Sequence, residues 1–282
     1  MTADSPLVSA AWLLEHLVDA DLRVVDARFA LGKPEAGLAA YRAGHIPGAV
    51  FVDLERDLSD PVREDRVGGR HPLPTPDVLA ARLSSLGIGS EQFIVVYDEP
   101  SSGQGFYAAH FWWLLRYLGH DAVRVLNGGL DAWIAAGGSL ELGDVKPEAA
   151  TFTARPKPKM LASAQDVLER GERAVLVDSR AAPRYRGDTE PLDWKAGHIP
   201  GAVNRDWAEG LSAGQFKDET AQRERFSDLE GKEVIVYCGS GVSAGANMLA
   251  LEVAGVRDAK LYAGSWSDWI SDPARPVAVG EE

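Results

Sequence analysis

An α/β fold made of two tandem domains, each a parallel sheet flanked by helices, is predicted by three observations. The chain contains an internal repeat of domain length, short apolar runs alternate with helical patterns inside each copy, and a polar, proline-containing stretch separates the copies. The first copy reads Val24-Val25-Asp26-Ala27-Arg28 and later Ala43-Gly44-His45-Ile46-Pro47-Gly48-Ala49-Val50. The second reads Leu176-Val177-Asp178-Ser179-Arg180 and later Ala196-Gly197-His198-Ile199-Pro200-Gly201-Ala202-Val203. Asp26 and Asp178 are 152 residues apart, and His45 and His198 are 153. Solenoid units run to only ~20–50 residues, so this is a duplicated domain. The stretch 139–160, with Pro147, Pro156 and Pro158, has linker composition. The predicted domains are residues 1–142 and 158–282.

The strands come first. Residues 23–26, 93–97 and 123–126 are short apolar runs, and 174–178, 233–237 and 259–262 are their partners in the second copy. Stretches 10–17, 76–86, 105–118 and 243–254 carry helical patterns. Strand–helix alternation implies parallel sheets covered on both faces. Ligands on such sheets sit beyond the carboxyl ends of the strands.

Length and composition bound the rest. With 282 residues there is room for two ordinary domains. The formal charge of −13 argues against a nucleic-acid partner and an anionic membrane surface. It leaves room for a locally positive pocket. A single cysteine cannot form an internal disulfide, which points to a reducing compartment. The first residues lack a basic segment of the signal-peptide kind, and no run approaches the ~18–20 apolar residues of a membrane span. The expected location is the cytoplasm. The histidines show no metal-ligand spacing and no glycine motif suggests a nucleotide, so neither metal nor cofactor is expected.

Cys238 carries the chemistry. It follows the apolar run Val234-Ile235-Val236-Tyr237 and opens Cys238-Gly239-Ser240-Gly241-Val242-Ser243-Ala244, after which a helix begins. The thiol is therefore expected at the carboxyl end of a strand, in a loop feeding a helix N-terminus. Gly239 and Gly241 let the backbone curl so that N–H groups point inward, and the helix dipole adds positive character. Both favour thiolate over thiol. Ser240 and Ser243 can add hydroxyl donors, and Ser243 can cap the helix. A phosphatase or arsenate-reductase reading is disfavoured, because the arginine that clamps a phosphate six residues after the cysteine is replaced by Ala244.

The chain resembles the tandem-domain members of the rhodanese family over almost its full length. The His-Ile-Pro-Gly-Ala segments and the closing Tyr262-Ala263-Gly264-Ser265-Trp266-Ser267-Asp268-Trp269 resemble that family's two signatures. The active loop resembles that of mercaptopyruvate sulfurtransferases, with Ser243 where they carry threonine. The resemblance implies two rhodanese-like domains and a persulfide cycle. A small anionic sulfur donor, 3-mercaptopyruvate favoured, loads Cys238, which passes sulfur to cyanide or a thiol acceptor, thioredoxin among them. Thiosulfate:cyanide transfer is the alternative within the family. A non-catalytic binding module is the alternative from another class, opposed by the intact cysteine loop.

The two halves differ in ways that assign roles. Asp98 aligns with Cys238, so the first half is expected to be catalytically silent, with Asp98 free to cap the next helix. Residues kept in both halves, Arg28 with Arg180 and His45 with His198, read first as fold elements. The resemblance also offers His45 as a site residue in proton relay, with Glu35 the nearest acid. Arg184 has no counterpart in the first copy, where Gly32 stands, and the resemblance makes it a substrate-binding residue, with Arg186 the runner-up. A guanidinium can grip a carboxylate through two parallel hydrogen bonds. The stretch Thr189-Glu190-Pro191-Leu192-Asp193 offers no second arginine of the kind mercaptopyruvate enzymes carry. Arg70 and His71, after Gly68-Gly69, can supply positive charge from the other half. Trp12, Trp112, Trp113 and Trp133 read as packing.

Overall fold

The computed structural model of the protein describes residues 5–102, 105–171 and 173–281. The first four residues, and residues 103–104 of the loop predicted at 98–105, lie outside the described residues. The chain divides into two compact units: Met1–Ser59, Pro74–Lys157 and Ala213–Phe216 form the first, and Asp60–Leu73, Pro158–Ser212 and Lys217–Glu282 the second. A single cut between the copies therefore misses two excursions. Residues 60–73, first-copy by sequence, belong to the second unit, and residues 213–216 belong to the first.

In the first unit the strands β1 (Leu7–Val8), β2 (Leu22–Asp26), β3 (Val50–Phe51), β4 (Phe93–Tyr97) and β5 (Val123–Leu126) form one parallel sheet in the order β1-β5-β4-β2-β3. The helices are α1 (Ala10–His16), α2 (Ala36–Ala43), α3 (Pro76–Ser85), α4 (Tyr107–Tyr117) and α5 (Gly129–Ala135). Leu13, Val24, Ile46, Val95, Leu126 and Trp133 meet in a buried cluster. Trp112 and Trp113 on α4 are buried as well, and Trp12 packs at the cluster's edge.

The second unit repeats the plan. Its strands β6 (Ala174–Asp178), β7 (Ala202–Asn204), β8 (Glu233–Tyr237) and β9 (Lys260–Leu261) form a parallel sheet ordered β9-β8-β6-β7. Helices α6 (Ala164–Leu168), α7 (Ala182–Arg186), α8 (Glu219–Arg225), α9 (Ala244–Val253) and α10 (Ser265–Trp269) follow in order. The central strand β8 is uniformly apolar after Glu233 because both its faces are covered.

The repeated motifs do the same work in each unit. Arg28 donates to Asp26 and to the Gly44 carbonyl, both at 2.7 Å, and Arg180 donates to Asp178 at 2.6 Å and to the Gly197 carbonyl at 2.7 Å. Each arginine thus ties the end of its first long strand to the start of the His-Ile-Pro-Gly turn. Tyr41 and Tyr185 donate to the carbonyls of Ala49 and Ala202 at 2.8 and 2.7 Å, closing the same turns from the other side. His45 and His198 stack on these tyrosines at 4.0 and 3.9 Å and bond through Nδ1 to the Tyr41 and Tyr185 carbonyls.

Asp98, at the position aligned with Cys238, is buried and accepts the Ala108 N–H at 3.0 Å in the first turn of α4. Burial pushes its carboxyl up to about 7 against these hydrogen bonds. A raised carboxylate binds a proton in the folded chain that the unfolded chain has lost, so it works against stability as pH rises from the ordinary carboxylate range toward 7. Asp98→Asn is expected to leave most activity intact. Denaturant midpoints from pH 4 to 7 should shift in the variant's favour, by up to about 1.4 kcal/mol per pH unit for one proton. Parallel pH profiles for the two proteins would exclude the buried proton.

Candidate active site

Strand β8 ends at Tyr237, and Cys238 is the first residue beyond it, 1% exposed. The loop is laced to the turn that begins α10. The Cys238 N–H donates to Ser265 Oγ at 3.1 Å, Trp266 N–H to the Cys238 carbonyl at 3.0 Å, and Ser267 N–H to the Gly239 carbonyl at 2.9 Å. Ser265 is a non-glycine residue at φ 55°, a conformation that costs energy, and it places Oγ under the Cys238 amide. Backbone hydrogen bonding resumes at Gly245, whose N–H donates to the Val242 carbonyl at 3.0 Å, which leaves the amides of 239–243 outside that network.

Gly241 turns at φ 83°, and a Cβ there would lie 2.2 Å from the Ala263 carbonyl oxygen. Gly239 shows what lies beside the loop: a Cβ there would lie 2.8 Å from Arg70 Nη2 and 3.2 and 3.4 Å from Arg184 Nη2 and Nη1. Two guanidiniums therefore rest against the residue next to the thiol. Arg184 is held by Glu190 at 2.7 Å, and Arg70 donates through Nε to Asp193 at 3.0 Å. Both carboxylates are almost fully buried. Ser240 Oγ lies 2.9 Å from His71 Nδ1.

The structure thus brings Cys238, Arg184 and the loop 239–244 together. Val242 and Ala244 are buried packing residues, and Ala244, at 0% exposure, leaves no room for the arginine of a phosphate loop. Ser243 departs from its predicted cap role. It precedes α9 in helical geometry, φ −67° and ψ −19°, and makes no capping hydrogen bond, because a serine cap needs an extended backbone to fold Oγ back onto the first amides. His45 is built into its own loop in the first unit, fully buried, with Glu141 rather than Glu35 beside it at 3.8 Å. Glu35 is exposed and faces Arg56. Arg186 pairs with Asp188.

His71 is not the positive charge that its sequence context offers. Burial, and secondarily Arg70, pull its imidazole down to about 4, so it is neutral at pH 7. Arg70, Glu190 and Asp193 were not identifiable as one cluster from sequence. The Gly68-Gly69 pair was the available signal: at Gly69 a Cβ would lie 2.4 Å from Ser267 Oγ, which marks a segment pressed against something distant in sequence.

The rhodanese-like domain family model matches residues 9–136 and 161–272, one match in each copy. The chain belongs to the rhodanese family. It is 45% identical to the probable 3-mercaptopyruvate sulfurtransferase of Pseudomonas aeruginosa, over 99% of this chain and 100% of that protein. It is 42% identical to the putative thiosulfate sulfurtransferase SseB of Mycobacterium tuberculosis, over 97% of each chain. The crystal structure of SseA from Escherichia coli, a 3-mercaptopyruvate sulfurtransferase, matches with a TM-score of 0.82 at 36% identity, covering 93% of this chain and 99% of that one. This rhodanese-family protein is a sulfurtransferase. Among the described residues no helix is long and apolar enough to cross a membrane, and no group of three metal-ligating side chains occurs.

A histidine kept neutral by burial makes folding sensitive to acid. The unfolded chain takes up a proton near pH 6.5 that the folded chain takes up only near 4. The stability tied to this group is complete above 6.5 and is lost as pH falls toward 4. His71→Gln is expected to flatten the stability profile there, by up to about 1.4 kcal/mol per pH unit. Equal slopes for His71→Gln and wild type in urea unfolding would refute the assignment.

Proposed function

We propose that this sulfurtransferase takes sulfur from 3-mercaptopyruvate, holds it as a persulfide on Cys238 and passes it to a small or protein thiol, thioredoxin included, or to cyanide, in the cytoplasm. The observation that carries this reading is the pairing of a thiol inside a neutral amide loop with Arg184 at the adjoining Gly239. The Cys238 thiolate attacks the donor sulfur. The C–S bond breaks, its electron pair passes to the methylene carbon, and the enolate takes a proton to become pyruvate. The donor's thiol proton offsets that one, leaving an anionic Cys238 persulfide. An acceptor thiolate or cyanide then attacks the outer sulfur and returns the Cys238 thiolate.

The amides of 239–243 suit the charge on the persulfide, and Ser240, bonded to neutral His71, adds a hydroxyl on the loop. Arg184 suits the donor carboxylate: Glu190 accepts from its Nε and Nη2, and Nη2 and Nη1 lie 3.2 and 3.4 Å from where a Gly239 Cβ would stand. Thiosulfate is the second reading, favoured by the name of the Mycobacterium tuberculosis relative. There the same thiolate would take the outer sulfur and release sulfite.

Incubation with donor should add one sulfur, roughly 32 Da, to wild type and nothing to Cys238→Ser, read by intact mass. Full turnover by Cys238→Ser would remove the persulfide mechanism. Arg184→Ala should lower kcat/KM for 3-mercaptopyruvate by about 30- to 1000-fold, and Arg184→Lys should recover only part, since the planar fork is lost. Side-by-side steady-state assays decide the donor: a higher kcat/KM for thiosulfate than for 3-mercaptopyruvate would reject the first reading and keep the second.

A further inference from the structure

We propose that the two copies exchange equivalent segments, and that Ser267 and Asp268 are positioning residues that dock the exchanged segment 60–73 beside the nucleophile loop. This rests on the persulfide reading above. The offset of 153 that relates His45 to His198 carries residue 60 to residue 213. Those residues open the two excursions: Asp60–Leu73 packs in the second unit and Ala213–Phe216 in the first. Each excursion follows the short strand after its His-Ile-Pro-Gly turn, β3 or β7. Each lands on the corresponding turn of its host, Gly128–Trp133 or Gly264–Trp269. Phe216 N–H donates to Asn127 Oδ1 at 2.8 Å, and a Cβ on Gly128 would lie 3.1 Å from the Gln215 side chain. In the second unit Gly68 N–H donates to Asp268 at 2.7 Å and Arg70 N–H to Ser267 Oγ at 3.1 Å. The exchange is reciprocal, as it is for the swapped element of a domain-swapped pair.

The second turn is remade for its guest. Ser267 and Asp268 stand where the first copy has Asp131 and Ala132. Asp268 is buried, and its Oδ2 accepts from Tyr262 OH and lies 3.5 Å from an Arg275 guanidinium nitrogen. Those partners aim Oδ1 at the Gly68 N–H. Gly68 and Gly69 hold left-handed φ values of 89° and 76°, and a Cβ on Gly69 would lie 2.6 Å from the Gly264 carbonyl oxygen. The segment therefore lies flush on the turn whose Trp266 and Ser267 amides hold the Cys238 and Gly239 carbonyls. Docked there, it brings His71 Nδ1 to 2.9 Å from Ser240 Oγ on the nucleophile loop. The reciprocal segment meets a turn whose Leu130 amide holds the Asp98 carbonyl, where no thiol stands. The chemically silent copy thus takes part in the site through the segment it lends.

The test follows sulfur loading of Cys238 in a single turnover, by intact mass, with whichever of 3-mercaptopyruvate and thiosulfate loads wild type. Hydrogen exchange of the Arg70 amide, which touches Ser267 and not Asp268, reports docking. Asp268→Ala should slow loading by about 10- to 100-fold and speed Arg70 exchange by at least about 10-fold, with the amides of β8 unchanged. Asp268→Asn keeps an oxygen for the Gly68 N–H and should load within about 3-fold of wild type. Gly69→Ala approaches from the segment's side, leaves every side chain of the turn in place, and should reproduce both effects of Asp268→Ala. It serves as the test should Asp268→Ala not fold. Asn127→Ala, which frees the reciprocal segment, should load within about 3-fold of wild type. Wild-type loading in Asp268→Ala or Gly69→Ala, or slow loading with the Arg70 amide still protected, would overturn the proposal. So would a loss in Asp268→Asn or Asn127→Ala as deep as in Asp268→Ala. Failure of the persulfide reading would look different: wild type would gain no sulfur mass from either donor.

Discussion

A run of buried and partly buried charges, alternately acid and base, leads from the sheet of the second unit to the active loop. It starts at Asp178 on the end of β6, passes through Arg180 to Glu190, and continues through Arg184 and Asp193 to Arg70. An isolated ion inside a protein costs several kcal/mol, and pairing repays this only when geometry is good. Each member is therefore confined to the one place where its neighbour compensates it. In the first unit the equivalent run begins identically, with Asp26 and Arg28, and reaches Glu99, 3.9 Å away and a third exposed. The two copies share the clamp that closes the fold. The second runs on through Glu190 and Asp193 to two paired arginines, Arg184 and Arg70. Cations held this way need no reorganisation when an anion arrives, which is the physical content of preorganisation.

The same economy governs the backbone around Cys238. The turn that starts α10 takes up the Cys238 amide through Ser265 and the Cys238 and Gly239 carbonyls through its own amides. Ser265 accepts an unfavourable φ to do so. The same turn also holds residues 68–70, through Asp268 and Ser267. Loop and cations are referred to one rigid element, so their spacing does not depend on long flexible side chains alone. The cost falls on glycines: Gly69, Gly239 and Gly241 each lack the Cβ that would collide with a neighbour.

Much of this was legible in the sequence. Strands 93–97, 123–126, 174–178 and 233–237 were read to the residue, because each is a short, mainly apolar run of strand length. Helix ends differed by a residue or two, as end turns fray. The repeat exposed the Asp–Arg clamp and the shared histidines, and the glycine-rich loop exposed Cys238. What escaped depends on chain path and burial rather than on local pattern. Nothing near residue 70 says that it leaves its own copy to join the other. Nothing near His71 says that it will be buried beside a cation and so be neutral. Asp193 read as an absence, a missing arginine, when its carboxylate pairs with Arg70, distant in sequence.

The division of labour explains why a neutral loop and a pair of arginines belong together. In the proposed cycle, negative charge leaves the attacking sulfur and appears first on the departing carbon and finally on the persulfide. A cation bonded directly to the nucleophile would stabilise the resting thiolate, and so raise the barrier as much as it lowered the energy of the persulfide. Amide dipoles are partial charges, so amides of 239–243 turned toward the sulfur would stabilise negative charge there without neutralising the nucleophile. The donor carboxylate, by contrast, carries the same charge before and after transfer. Guanidiniums that grip it bind ground state and transition state about equally, so their contribution belongs in KM and in orientation. Placing the cations against Gly239, one residue past the nucleophile, keeps the two tasks on separate atoms.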